Sequence, residues 1–284
     1  MIYGLAAALG WGLADYTGAV AGRRLGSLWV VLTAQGASAA VVTVLIIATG
    51  HDLGPIGGAL GLVAFNGVFS ATAYVTHYRA LELGPVAVVS PVGATYALVG
   101  VVLSTLLLGE RPGMLTLIGG VVTIVGVMLT STDLKKLRAG THGMPPGLPW
   151  AVCSAIGFGV GAFTLARLSR DLGWELALWG SRCAQLIAFA AVGLRWRRRE
   201  LTGRFLLGPA IWAALFVGGA DLFGVFAYTI GVQRGFITPV LIASVVFPLI
   251  AVGMSVLFLH ERPVLNQYAG VVLTVVGLVT VGLA

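Results

Sequence analysis

Of 284 residues, 58% are hydrophobic and 10% charged, and the mean hydropathy is +0.99; a soluble domain carries about 25% charge, so the composition excludes one and makes lipid the solvent. The net charge of +7 does not point to nucleic acid, because the basic residues lie between apolar stretches, where they set topology beside lipid headgroups, and form no basic domain. Cys153 and Cys183 both fall inside apolar stretches, so neither a structural disulfide nor a metal site is expected.

A spanning helix needs about 20 apolar residues, because the hydrocarbon core is about 30 Å thick and a helix rises about 1.5 Å per residue. The first such stretch, 2–21, holds Trp11 and Asp15, with Gly12, Gly18 and Gly22 flanking Asp15. It has no basic leader and no cleavage site, so a retained helix is expected rather than a signal peptide. Residues 27–49 follow, then 57–79, where Asn66, Ser70, Ala73, Tyr74 and His77 recur at steps of three and four on one face. Such a polar stripe either lines a substrate path or bonds to neighbouring helices.

The fourth span, 86–108, carries Pro91 within a face of Ser90, Gly93, Ala97, Gly100 and Ser104. A mid-helix proline frees a carbonyl and kinks the helix, so a gating or helix-breaking role is expected for Pro91 and for Pro248 in the ninth span. The fifth span covers 114–131. Residues 132–148 form a connection with Lys135, Lys136, Arg138, Pro145 and Pro146.

Spans at 149–168, 174–194, 208–232, 237–259 and 264–284 complete the chain, with five arginines in the 195–207 connection. The seventh holds Arg182 and Gln185, and the eighth holds Asp221 and Tyr228. Arg182 lies twelve residues before the end of its span and Asp221 thirteen after the start of the next. In an antiparallel hairpin both then sit about 18–20 Å from one face, and they could pair. Ionisable groups in hydrocarbon are costly, about 2.5–3.5 kcal/mol each, which makes Asp15, Arg182 and Asp221 functional candidates. Gly57 with Gly61, and Gly157 with Gly161, have the small-xxx-small spacing of close helix contacts.

The two halves are alike. Ala73-Tyr74 and Pro85-Val86 recur 154 residues later as Ala227-Tyr228 and Pro239-Val240. Glu110-Arg111-Pro112 recurs 151 residues later as Glu261-Arg262-Pro263, with Gly119, Thr123 and Gly126 matched by Gly270, Thr274 and Gly277. Gly10-Trp11-Gly12 resembles Gly157-Phe158-Gly159, and Thr17 matches Thr164. The expected fold is an all-α membrane protein of ten transmembrane helices in two inverted five-helix repeats, 1–131 and 149–284. An odd number of helices per half inverts the second half and places a substrate site near the midplane. The basic residues concentrate in the odd-numbered loops, which the positive-inside rule assigns to the cytoplasm, leaving both termini outside.

Trp11-Gly12-Leu13-Ala14-Asp15-Tyr16, Tyr78-Arg79-Ala80-Leu81-Glu82-Leu83-Gly84-Pro85 running into Ser90-Pro91, Leu108-Gly109-Glu110-Arg111-Pro112, and Ser244-Val245-Val246-Phe247-Pro248 to Glu261-Arg262 resemble the EamA family of the drug/metabolite transporter superfamily. The resemblance covers nearly the whole chain. It implies a ten-helix, two-repeat carrier, often an exporter of amino acids, nucleobases or related metabolites. Family members commonly keep both termini in the cytoplasm, so the charge distribution departs from the pattern and leaves export against import open.

The function expected is secondary transport of a small metabolite across the cell inner membrane by alternating access, with a proton as candidate coupling ion. The substrate-binding candidates are Trp11, Asp15, Asn66, Tyr74, His77, Arg182, Gln185, Asp221 and Tyr228. A lipid or polyprenyl-phosphate flippase and an intramembrane enzyme are the alternatives. No Gly-x-x-x-x-Gly-Lys-Ser/Thr loop occurs, so a nucleotide-driven pump is not expected. No cofactor, metal or nucleic-acid partner is expected. Membrane lipid and a small-molecule substrate are the expected partners, in a monomer or a homodimer.

Overall fold

A computed structural model describes residues 1–84, 86–131, 147–196, 209–259 and 264–284. Among them the regular structure is entirely helical. The first half supplies α1 (Ile2–Leu25), α2 (Ser27–Thr49), α3 (Gly54–Leu83), α4 (Val86–Ala94), α5 (Tyr96–Leu108) and α6 (Met114–Ser131). The second supplies α7 (Leu148–Leu172), α8 (Trp174–Trp196), α9 (Pro209–Arg234), α10 (Ile237–Ser244), α11 (Phe247–Leu259) and α12 (Leu265–Gly282). Most of the 132–148 and 195–207 connections, with Lys135, Lys136, Arg138, Arg197, Arg198, Arg199 and Arg204, lie outside the described residues, as do Pro85 and Glu261-Arg262-Pro263.

Five stretches of the described residues are by themselves long and apolar enough to cross a bilayer: Leu28–Thr49, Gly54–Leu83, Leu148–Leu172, Ile211–Arg234 and Leu265–Gly282. Val92–Leu108, Met114–Thr130 and Ile237–Ile250 are shorter apolar helices. The outer faces carry exposed Leu106, Leu107, Leu115, Val121, Val272 and Val275, as a lipid-facing surface requires.

The expected continuous spans 86–108 and 237–259 are each broken in two. The breaks fall at Thr95 and at Val245-Val246, related by the offset of 151 that connects Glu110 and Glu261. At the first, the Thr95 N–H donates to Val92 O at 3.1 Å, and Leu98 N–H to Thr95 O at 3.0 Å. The Thr95 hydroxyl adds a second bond to Val92 O at 2.7 Å. The chain thus tightens to three-residue spacing for one turn. Neither proline is itself the break. Pro91 lies within α4, one turn before it, and Pro248 occupies the second position of α11, where a missing N–H leaves no intrahelical bond unmade.

The halves interlock through glycine. A Cβ on Gly126 would lie 2.6 Å from Thr274 Oγ1 and 2.8 Å from Gly270 O, and one on Gly277 would lie 2.5 Å from Thr123 N. So α6 and α12 pack backbone against backbone. Gly119 meets Gly277, whereas Gly126 meets Gly270, so these two equivalent helices run antiparallel. Such a pair exchanges only about a two-fold axis perpendicular to both. The exchange extends to α1 on α9 and α7 on α3: Gly10 seats against Ala220 and Gly224, and Gly157 against Ala73. Gly57 and Gly61 behave differently from expectation. Nothing lies within 4 Å of the Cβ position of either, and both are exposed. They sit in the first turns of α3, before its path meets α7, so their spacing finds no partner among the described residues.

Candidate functional site

Where α1, α3, α7 and α9 converge they enclose a cavity of about 110 Å³, closed further by Gly93 of α4, Tyr96 of α5 and Phe247 of α11. Its walls are aromatic. Trp11 lies against Tyr228 with ring centroids 5.9 Å apart, and Phe158 meets Tyr74 edge to face at 5.0 Å. These are two copies of one contact, since Trp11 corresponds to Phe158 at an offset of 147 and Tyr74 to Tyr228 at 154. The repeat is thus expressed in the cavity wall. Trp11 also stands edge-on to Tyr96 at 6.2 Å.

The polar groups of the two repeats differ. Asp221, in the middle of α9, is bonded through both oxygens. Oδ2 accepts from Arg182 Nη2 at 2.7 Å and from Gln35 Nε2 at 3.1 Å, and Oδ1 accepts from Tyr74 Oη at 2.6 Å. Arg182 Nη1 donates onward to Gln35 Oε1 and to Gln185 Oε1. Arg182 and Asp221 are 3% exposed each, so the pair is cut off from water and depends on this network. Nearer α4, Asp15 Oδ1 lies 3.1 Å from His77 Nε2. Asp15 Oδ2 and His77 Nδ1 are buried and meet no hydrogen-bond partner among the described residues.

Of the residues singled out in the sequence, Trp11, Asp15, Tyr74, His77, Asp221 and Tyr228 line the cavity. Arg182 and Gln185 stand behind Asp221, not on the wall. Asn66 is placed elsewhere: its amide donates to Gly161 O at 2.8 Å and to Thr164 Oγ1 at 2.7 Å. Both donors are used in joining α3 to α7, so it ties helices together and does not face a solute. Pro248 is not among the described lining residues, and the Pro91 side chain lies outside the described residues.

Sequence reasoning missed Gln35, Tyr96 and Phe158 as parts of this region. Gln35 was findable, because an offset of 147 carries it onto Arg182; the two repeat-related side chains bond to each other. Tyr96 carries no comparable signal. Its hydroxyl bonds Ser244 across 148 residues of sequence. Among the described residues no three His, Cys, Asp or Glu side chains gather as a metal site.

A second polar cluster joins the halves at the N-terminal end of α10. Gly109, at φ 66°, takes the left-handed conformation that ends α5. This turn delivers Glu110 to the start of α10. There Oε1 accepts from Ile237 N–H and Arg170 Nη2, both at 2.9 Å, and Oε2 accepts from the Thr238 N–H at 3.2 Å and hydroxyl at 2.9 Å. Arg170 also donates to Gly235 O at 2.7 Å. A carboxylate here satisfies free helix N–H groups and meets the positive end of the helix dipole.

Burial pushes the Glu110 carboxyl upward, but the bonds from Ile237, Thr238 and Arg170 outweigh it, and its pKa falls below the ordinary 4.5. A depressed folded-state value means its stabilisation is complete above the unfolded-state pKa and is lost as pH falls through the folded one. Glu110→Gln should therefore lower stability at pH 7 by about 1–3 kcal/mol. It should also flatten the acid limb of a thermal-stability profile below about pH 4.5. An unchanged profile in detergent would mean the cap contributes nothing.

The EamA-like transporter family model matches residues 1–132 and again 145–283. No curated protein matches the sequence. A solved crystal structure superposes with a TM-score of 0.77 at 21% identity, over 99% of this chain and 96% of that one. At that identity the likeness shows a shared fold.

Proposed function

The chain belongs to the EamA-like transporter family, a multi-pass membrane protein of two repeats, and we propose that it is a secondary carrier moving a small organic solute across the cell inner membrane by alternating access. Counting α4 with α5 and α10 with α11 as single broken crossings gives ten spans. The second half is then inverted about an axis in the membrane plane. One observation carries the reading: both halves contribute corresponding aromatic pairs to a single cavity between them. A cavity on the axis between inverted halves can be exposed to either side by rocking one half on the other. Discontinuous helices at matching positions are what carriers place beside such sites.

Asp15 and His77 stand 3.1 Å apart on the wall. At the face that bears Tyr3 and Arg234, the Glu110–Arg170–α10 cluster is the contact that must part when the cavity opens that way.

The test is counterflow. Purified protein in liposomes, loaded with each solute of a panel at high concentration, should accumulate labelled solute transiently for at least one member. A Tyr74→Ala protein should retain under about a tenth of that signal, because the hydroxyl and ring it removes are both on the wall. Protein-independent leakage alone for every soluble compound, with labelled lipid crossing instead, would replace the carrier with a flippase.

A further inference from the structure

We propose that the carried solute is an organic cation, an amine or quaternary ammonium with an apolar body, and that Asp15 is its counter-ion. This rests on the carrier reading and names the substrate class of the same cavity.

The two wall carboxylates are not equivalent. Asp221 is spent: both oxygens accept bonds, and Arg182 matches its charge. Asp15 has one oxygen beside His77 and the other without a partner among the described residues, in a residue 7% exposed. A buried carboxylate oxygen left unbonded is unfavourable, and a donor brought by a ligand removes that cost. Among the described residues that line the cavity there is no lysine or arginine. Asp221 thus has a guanidinium against it, whereas Asp15 has neither a guanidinium nor an ammonium among the described lining residues. An anion, such as the carboxylate of an amino acid, would meet the Asp15 carboxyl there and no lysine or arginine among the described lining residues.

The rest of the wall suits a cation. Trp11 is one turn from Asp15 on the same face of α1, and Tyr96 and Tyr228 pack around its ring. Aromatic faces attract ammonium groups within about 6 Å, most strongly where water is excluded. An apolar body on the cation would bury against the same rings. The repeat reinforces the assignment. At the offset of 147, Asp15 falls on Ala162, and at 154, His77 falls on Gly231. The cavity thus offers a cation one counter-ion, in the first half only.

Choline and its neutral isostere 3,3-dimethylbutan-1-ol, with tetraethylammonium, phenethylamine, leucine and uracil, form the test panel in liposomes holding the full chain. The expected result is saturable uptake of at least one cation, competed by the other cations and not by the neutral isostere, leucine or uracil. Asp15→Asn should lower that uptake by about tenfold or more, and Asp15→Glu should restore part of it. Trp11→Leu, which leaves the charge in place, should raise the half-saturating cation concentration by about tenfold. This second variant decides the matter if Asp15→Asn fails to fold. Uptake of leucine or uracil that no cation inhibits would overturn the cation and leave the carrier standing. Cation uptake unchanged in a folded Asp15→Asn protein would overturn the counter-ion. No uptake of any compound would overturn the carrier reading, and the inference with it.

Discussion

Arg182→Ala should destabilise the protein by about 3–5 kcal/mol, because it leaves the buried Asp221 carboxylate without its counter-charge. The size follows from how deeply the pair is buried, at 3% exposure each. Arg182 reaches Asp221 at 2.7 Å and also donates to Gln35 and Gln185, so its removal leaves three acceptors each one bond short. Asp221→Ala should cost a similar amount and additionally free Tyr74, whose hydroxyl is bonded to Asp221 at 2.6 Å. The double variant Arg182→Gln/Asp221→Asn keeps hydrogen-bonding groups and removes both charges, and should recover most of the loss. Apparent melting temperature in detergent, followed by size-exclusion recovery, checks all three. Equal melting of the Arg182→Ala and parent proteins would show that the pair stabilises nothing.

Gly126→Val should separate α6 from α12. The added carbons would fall within 2.6 Å of Thr274 Oγ1 and 2.8 Å of Gly270 O. The carbonyl belongs to the backbone and cannot turn aside as a flexible side chain would. Overpacking typically costs about 1–3 kcal/mol, and a clash with rigid backbone puts this substitution at or above the upper end. Its repeat-related counterpart Gly277→Val meets Thr123 N at 2.5 Å and should behave alike. Gly61→Val, at an open position on α3, should change the melting temperature little. If all three melt together, the glycine seam does not hold the halves.

That seam shows what was legible in the sequence. Gly119, Thr123 and Gly126 matching Gly270, Thr274 and Gly277 at one offset marks a repeat, and the same residues form the contact between the repeats. The pattern does not say which helix they face, and the identical small-xxx-small spacing of Gly57 and Gly61 faces outward. Spacing encodes a smooth helix surface; only the rest of the fold decides what lies against it.

The cavity was legible in part for a related reason. A charge in hydrocarbon is rare enough to mark Asp15, Arg182 and Asp221 singly, and span arithmetic places the last two at one depth. The partner of Asp15 is His77, 62 residues away, and the side chains bonded to Asp221 come from three other helices. Helix length fixes depth but not rotation or neighbour, so such partnerships are invisible in one dimension. Asn66 illustrates the limit: it shares a helical face with Ser70, Tyr74 and His77, yet lies nearer the α7 contact, where two acceptors consume its donors. The broken helices were anticipated at Pro91 and Pro248, whereas the turns form at Thr95 and Val245-Val246. Pro91 precedes its turn and Pro248 follows its own, so the position of a proline does not by itself locate the break.

Two-sided access to one cavity position tests the central claim most directly. Ala162, on the wall and half-buried, would be changed to cysteine in a chain carrying Cys153→Ser and Cys183→Ser. A membrane-impermeant thiol reagent would then be applied to either side of sealed vesicles. The carrier predicts labelling from both sides, slowed on both by a transported solute. Labelling from one side alone, at any solute concentration, would contradict it and leave the cavity a binding or reaction site open to a single face.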